Sequence, residues 1–181
     1  IPSQIQCNAS PHIRFIFFYF SIRPITLNQG IEMRAWYDIV EIKRGSFEDE
    51  EGIQESANIL ASLIEREENK GIAAQNIILA GFSQGGVIAF QCGLRYPKPL
   101  GGILALSTYL PLAYRLPDEL HAANRKIRIF IGHGISDDVI PITWARNARQ
   151  ILNQYGYSVD WHEYSMRHSV CREEIEDIGR F

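Results

Sequence analysis

The chain has 181 residues, 46 % of them hydrophobic, and a formal net charge of -3, with a pI near 6.0. That length suits one packed domain, no composition shift marks a second, and the slightly acidic balance offers no basic footprint for nucleic acid. Cys7, Cys92 and Cys171 are odd in number and lack C-x-x-C spacing, which argues against a disulfide framework or a zinc site and for a reducing, cytoplasmic setting.

In chain order, the aromatic run Ile13 to Phe20 reads as a strand. It is too short to span a bilayer and no cleavage-site pattern follows, so neither stable membrane insertion nor a secretory signal is expected. Glu50 to Glu68 reads as an amphipathic helix with Ile53, Ala57, Leu60, Leu63 and Ile64 on one face. The acidic cluster Glu48 to Glu51 and the charged stretch Glu65 to Lys70 read as solvated surface. Asn76 to Ala80 is an apolar, β-branched strand, and Gly86 to Arg95 a buried helix stopped by Tyr96-Pro97. Strands at Gly102 to Leu106, Ile127 to Gly132 and Ser158 to Tyr164 follow, with helices at Ile142 to Asn153 and Arg172 to Ile178. Strands separated by helical crossovers predict one α/β domain over residues 1–181, with a mainly parallel sheet covered by helices on both faces.

Between the second strand and its helix stands Gly81-Phe82-Ser83-Gln84-Gly85, a G-x-S-x-G pentapeptide. Strand, sharp turn and helix form a nucleophile elbow, in which small flanking residues allow the close approach and the serine hydroxyl stands clear of the sheet. The Gln84 amide, at the helix N-terminus, can then donate to an oxyanion. A serine hydroxyl needs a base to take its proton, and the base needs an acid to orient it. Two loops past strand C-termini can supply them. The Ile127 to Gly132 strand runs into His133-Gly134-Ile135-Ser136-Asp137-Asp138, and the Ser158 to Tyr164 strand into Ser165-Met166-Arg167-His168. His168 is the expected base. His133 precedes the acid and is expected to shape its loop by hydrogen bonding, and His162, alternating with Val159 and Trp161, is expected to turn away from the apolar face. His12 and His121 lie before the loops that could reach Ser83. Residue chemistry alone leaves Asp137 and Asp138 as rival acids.

Gly81-Phe82-Ser83-Gln84-Gly85-Gly86, Leu106-Ser107-Thr108-Tyr109-Leu110-Pro111, His133-Gly134-x-x-Asp137-x-Val139-x-Pro141 and Met166-x-His168-Ser169-Val170 together resemble the carboxylesterase and acyl-protein thioesterase family of α/β-hydrolases. Ile22-Arg23-Pro24-x-Thr26-Leu27-Asn28 and Met33 to Asp38 are similar to the same family. The likeness covers roughly Ile13 to the C-terminus and leaves residues 1–12 as an atypical segment.

The resemblance implies hydrolysis of carboxylic esters or acyl thioesters through an acyl-enzyme, with no metal or organic cofactor. Ser83 would be the nucleophile, His168 the base, Asp137 the acid and the Gln84 amide an oxyanion donor. Trp36, Tyr109 and Leu110 could line an acyl pocket, and the substrate would be a small or lipid-like acyl ester or thioester, or an acylated protein. The family's second oxyanion donor comes from a His-Gly-Leu-Gly type loop, a run this sequence lacks. With a start at Ile1, the chain therefore reads as N-terminally truncated. The early aromatic strand would then be left at an open sheet edge, which a second copy could cover as a homodimer. Phe18-Tyr19-Phe20-Ser21 replaces the family's Pro-His-Ala-Pro, and Arg167 stands where a small residue usually precedes the base. A positive φ at position 167 would strain that loop.

Overall fold

A computed structural model describes residues 13–17, 22–41 and 48–181. Strands β1 (Ile22–Ile25) and β2 (Ile31–Arg34) form an antiparallel hairpin. Gln29 and Gly30 turn it in the left-handed region, with φ of 57° and 78°. The hairpin is scarcely buried: β2 alternates as Ile31-Glu32-Met33-Arg34, yet Ile25 alone among the strand residues is buried. The strand expected at Ile13 to Phe20 does not form over Ile13–Phe17, where Ile13, Phe15, Ile16 and Phe17 are exposed. Phe18 to Phe20 lie outside the described residues. An apolar run takes strand form only against a partner edge that completes its hydrogen bonds, and among the described residues none pairs with it.

Helix α1 (Glu50–Glu68) starts at Asp49, whose Oδ1 accepts from the Gly52 amide at 2.9 Å. Such an N-cap stabilises a helix by about 1 kcal/mol. Ile53, Ala57, Leu60 and Ile64 are buried as the periodicity predicts, and Leu63 is half-buried. The charged stretch after it is not all solvated. Glu67 is buried, with Lys70 Nζ 2.9 Å and Arg66 Nε 3.5 Å from its Oε1. Upstream of the helix, the Glu48 carboxylate accepts from the Leu112 amide, at 3.2 Å for the nearer oxygen, and burial raises its pKa.

The chain then lays down β3 (Ile78–Phe82), α2 (Gln84–Gly93), β4 (Gly102–Leu106), the short α3 (Leu116–Glu119), β5 (Ile129–Gly134), α4 (Ile142–Gln154), β6 (Val159–Tyr164) and α5 (Arg172–Ile178). The strands form one parallel sheet in the order β3-β4-β5-β6. Leu79, Ile103, Ile131 and Trp161 share one face, set by the register Leu79↔Ile103, Ala105↔Ile131 and Ile131↔Trp161. α2 packs there with Gly93 against Ile103, and α4 with Arg149 over the Trp161 ring.

The opposite face carries α5, whose Asp177 accepts from the Tyr164 hydroxyl at 2.9 Å. Helices thus lie on both faces as expected, but among the described residues coverage of the second thins toward β3, Phe181 reaching Gly102 of β4. Ile78 and Phe82 of β3 stay exposed. His162 points to this second face, as the alternation predicts, yet the face is packed there: its ring stacks on Phe130 at 4.8 Å. Strand β5 runs two residues further than expected because His133 and Gly134 pair with Glu163 and Tyr164. No helix among the described residues is long and apolar enough to cross a membrane.

Candidate active site

Ser83 follows β3 directly and caps α2 with φ 54° and ψ -123°. A non-glycine residue held there stores about 1–3 kcal/mol of strain and persists only where its surroundings over-determine it. Here the Ser83 amide donates to the Leu106 carbonyl at 2.9 Å. The Ser83 carbonyl accepts from the Thr108 hydroxyl at 2.7 Å and from the amides of Gly86 and Val87 at 3.0 and 3.3 Å. A side chain at Gly81 would overlap the backbone of Gly85, and one at Gly86 would meet Thr108. Both glycines are required by close approach. The Gln84 amide opens α2 without an in-helix carbonyl partner, next to the serine, and so is available to an oxyanion.

On the neighbouring strands' loops, Asp137 Oδ1 accepts from the amides of Val139 and Ile140 at 2.9 and 2.8 Å, and Oδ2 accepts from His168 Nδ1 at 2.8 Å. Asp137 is buried. A neutral imidazole that donates its Nδ1–H to this carboxylate leaves Nε2 as the acceptor, the tautomer a general base requires. Its ring lies 4.7 Å from that of Phe82, the residue before the serine. Amides of Ile135 and Ser136 donate to the carbonyls of Tyr164 and Met166 at 2.9 and 3.1 Å, lacing the two loops together.

His133 is fully buried, and that burial lowers its pKa. As a neutral imidazole it donates from Nε2 to the Ile140 carbonyl at 2.8 Å, with Asp137 Oδ2 3.4 Å away. It therefore shapes the acid loop, as expected. His121 accepts from the Ala123 amide, and His12 lies outside the described residues. Asp138 does not meet His168 by hydrogen bond. Its carboxylate takes both arms of the Arg167 guanidinium, Nε to Oδ1 at 3.2 Å and Nη2 to Oδ2. Arg167 is not among the positive-φ residues, so the strain considered for that position does not arise.

The three pocket candidates part company. The half-buried Trp36 lays its indole 3.7 Å from where a Gly85 Cβ would stand, at the start of α2. Tyr109 shares a 3.0 Å hydroxyl–hydroxyl hydrogen bond with Tyr37 and meets Trp144 edge-on at 5.4 Å, and burial pushes its pKa up to about 12. Leu110 is buried in the core. Sequence reasoning missed the Gln84 side chain, which accepts from the Trp36 amide at 3.2 Å and donates to the Tyr37 carbonyl at 3.0 Å. Nothing local signals that tether, because its partners stand 48 and 47 residues upstream. Among the described residues, no cluster of three His, Cys, Asp or Glu could hold a metal ion.

Residues 3–181 match the model of the family described as Phospholipase/Carboxylesterase. That match takes in residues 3–12, which sequence reading left outside the resemblance. Acyl-protein thioesterase 1 of Yarrowia lipolytica is 37 % identical over 171 residues, covering 92 % of this chain and 75 % of that protein. Its Mycosarcoma maydis namesake is 35 % identical, with 94 % and 77 % covered. Among solved structures, a point variant of Arabidopsis thaliana SOBER1 superposes with a TM-score of 0.92 at 27 % identity, covering 98 % of this chain and 86 % of that one. Zea mays acyl-protein thioesterase 2 reaches 0.80 at 25 %, covering 90 % and 77 %.

Proposed function

From the premise that the chain belongs to the phospholipase/carboxylesterase family of hydrolases and has its α/β-hydrolase fold, we propose that it cleaves carboxylic esters or acyl thioesters through an acyl-enzyme on Ser83. His168 Nε2 takes the Ser83 proton as Oγ attacks the carbonyl carbon, and Asp137 stabilises the imidazolium so formed. The oxyanion draws on the Gln84 amide. Collapse of the tetrahedral intermediate releases the alcohol or thiol with the proton from His168. Water then attacks the acyl-serine by the same proton route and frees the acid. The names of its relatives support an acylated protein or lipid-like acyl group as the substrate class.

The observation that carries this reading is the 2.8 Å His168 Nδ1 to Asp137 Oδ2 hydrogen bond beside the strained serine. A second reading, that residues 1–181 by themselves have little activity, rests on the His-Gly-Leu-Gly run not being among them, since a missing oxyanion donor costs about 2.7–4 kcal/mol, or about 10²- to 10³-fold in rate. Fluorophosphonate labelling decides between them. An adduct on Ser83, lost in Ser83→Ala with the circular dichroism unchanged, supports the hydrolase. A folded chain that takes no label supports the second reading. Rates on p-nitrophenyl acetate, p-nitrophenyl octanoate and a palmitoyl thioester then report the acyl length preferred.

A further inference from the structure

The acid and base loops meet along two adjacent rungs. Asp137 holds His168, and the next residue of the first loop, Asp138, holds the residue before the base, Arg167. Resting on the catalytic reading above, we propose that the Arg167–Asp138 pair is a positioning clamp that keeps His168 aligned for proton transfer, so that turnover depends on it although neither side chain touches the reacting atoms.

Where the loops are already fastened shows why a second rung matters. The backbone bonds between them, Ile135 to Tyr164 and Ser136 to Met166, lie on the strand side of position 167. Beyond Met166, the backbone bond of the base loop is internal, from the Ser169 amide to the Arg167 carbonyl at 2.9 Å. Between there and the start of α5 at Arg172, the described links to the acid loop are the two side-chain rungs. With the outer rung gone, residues 167–170 can pivot about the His168–Asp137 bond, and small misplacements of a catalytic group are expensive in rate.

The chemistry of the pair suits alignment better than stability. Both side chains are largely exposed, at 74 % and 53 %, and exposed ion pairs contribute little to folding. A guanidinium gripping a carboxylate through two N–H groups nevertheless fixes relative orientation, which a lysine ammonium cannot do. The pair also neutralises the Asp138 charge beside His168, whose near side already carries Asp137, with buried His133 behind it.

The test uses the full chain with Arg167→Ala, Arg167→Lys, Asp138→Ala and the exchanged pair Arg167→Asp with Asp138→Arg. Removing either partner is expected to lower kcat about 5- to 20-fold with KM changed less than about twofold, Lys being intermediate and the exchange recovering most of the loss. In parallel, the His168 Nδ1–H resonance is followed by NMR. Its exchange with water should quicken in the single variants and slow again in the exchanged pair. Unaltered kcat in the single variants, or unaltered exchange where the chain has no measurable turnover, overturns the clamp. The NMR readout needs no activity, so failure of the hydrolase reading and failure of the clamp are separable.

Discussion

The Thr108 hydroxyl donates a 2.7 Å hydrogen bond to the carbonyl of Ser83, so the loop after the neighbouring strand β4 holds the serine. Thr108 is buried and its methyl sits where a Gly86 side chain would fall. Thr108→Val keeps the shape and deletes the donor. The Ser83 carbonyl retains its two amide donors, so the expected cost is about 1 kcal/mol of stability, read as a urea midpoint shift. Because the lost bond restrains a strained backbone, kcat should fall several-fold while KM holds.

Asp137→Asn separates orientation from shape. The side chain can still accept from the Val139 and Ile140 amides through its one oxygen, but then turns an NH₂ toward His168 Nδ1. That favours the wrong tautomer, with Nε2 protonated. The expected loss is on the order of 10⁴-fold in kcat, the scale of the corresponding change in a serine protease. Steady-state rates on an activated ester check it, and a loss under tenfold would remove Asp137 from the role.

Glu174 makes stability depend on pH. It is fully buried on α5, neither carboxyl oxygen has a hydrogen-bond partner among the described residues, and a side chain at Gly132 would run into it. Burial raises its pKa from an ordinary 4.5 to about 7. A raised carboxyl pKa means the native state holds its proton longer than the unfolded chain. Stability is therefore fully present below about pH 4.5 and is lost as pH climbs through 7. Glu174→Gln should gain on the order of 2–3 kcal/mol relative to the parent at pH 8 and far less at pH 5. Urea unfolding at both pH values measures it, and equal differences at the two would refute the assignment.

Gln84 links the elbow to the segment above it through its side-chain bonds to Trp36 and Tyr37. Gln84→Ala keeps the backbone amide proposed as the oxyanion donor, while freeing that segment. Ser83 labelling should persist. The kcat/KM for a long-chain ester should drop by roughly tenfold if Trp36 borders the acyl group, with a smaller loss for acetate. A change in Trp36 fluorescence, read in a chain with Trp144 and Trp161 replaced by Phe, reports whether the segment has moved.

Local chemistry made much of this protein readable from its residues. Apolar runs of strand length separated by helical periods predicted the parallel sheet, and α1, β4 and α5 fall within the expected bounds. The elbow needs Gly81 for a reason confined to a few residues, since a side chain there would overlap the backbone of Gly85. The same logic put Ser83, the Asp137-Asp138 pair and His168 in the loops after β3, β5 and β6, at one end of the sheet.

What the tertiary structure decided are relations that no spacing encodes. Residue chemistry left Asp137 and Asp138 as rivals and the family resemblance pointed to Asp137; the packed loops bond Asp137 to His168 and give Asp138 to Arg167. The aromatic run after Ile13 has strand propensity, but a strand needs an edge to pair with. Glu67 reads as surface charge until helix packing buries it, and Glu174 is buried on α5 with no signal in the sequence to mark it. Sequence determined what each segment can form by itself, because backbone conformation and periodicity are local. Burial, partner choice and the tilt of one side chain toward another depend on atoms tens of residues away, and those the fold alone supplied.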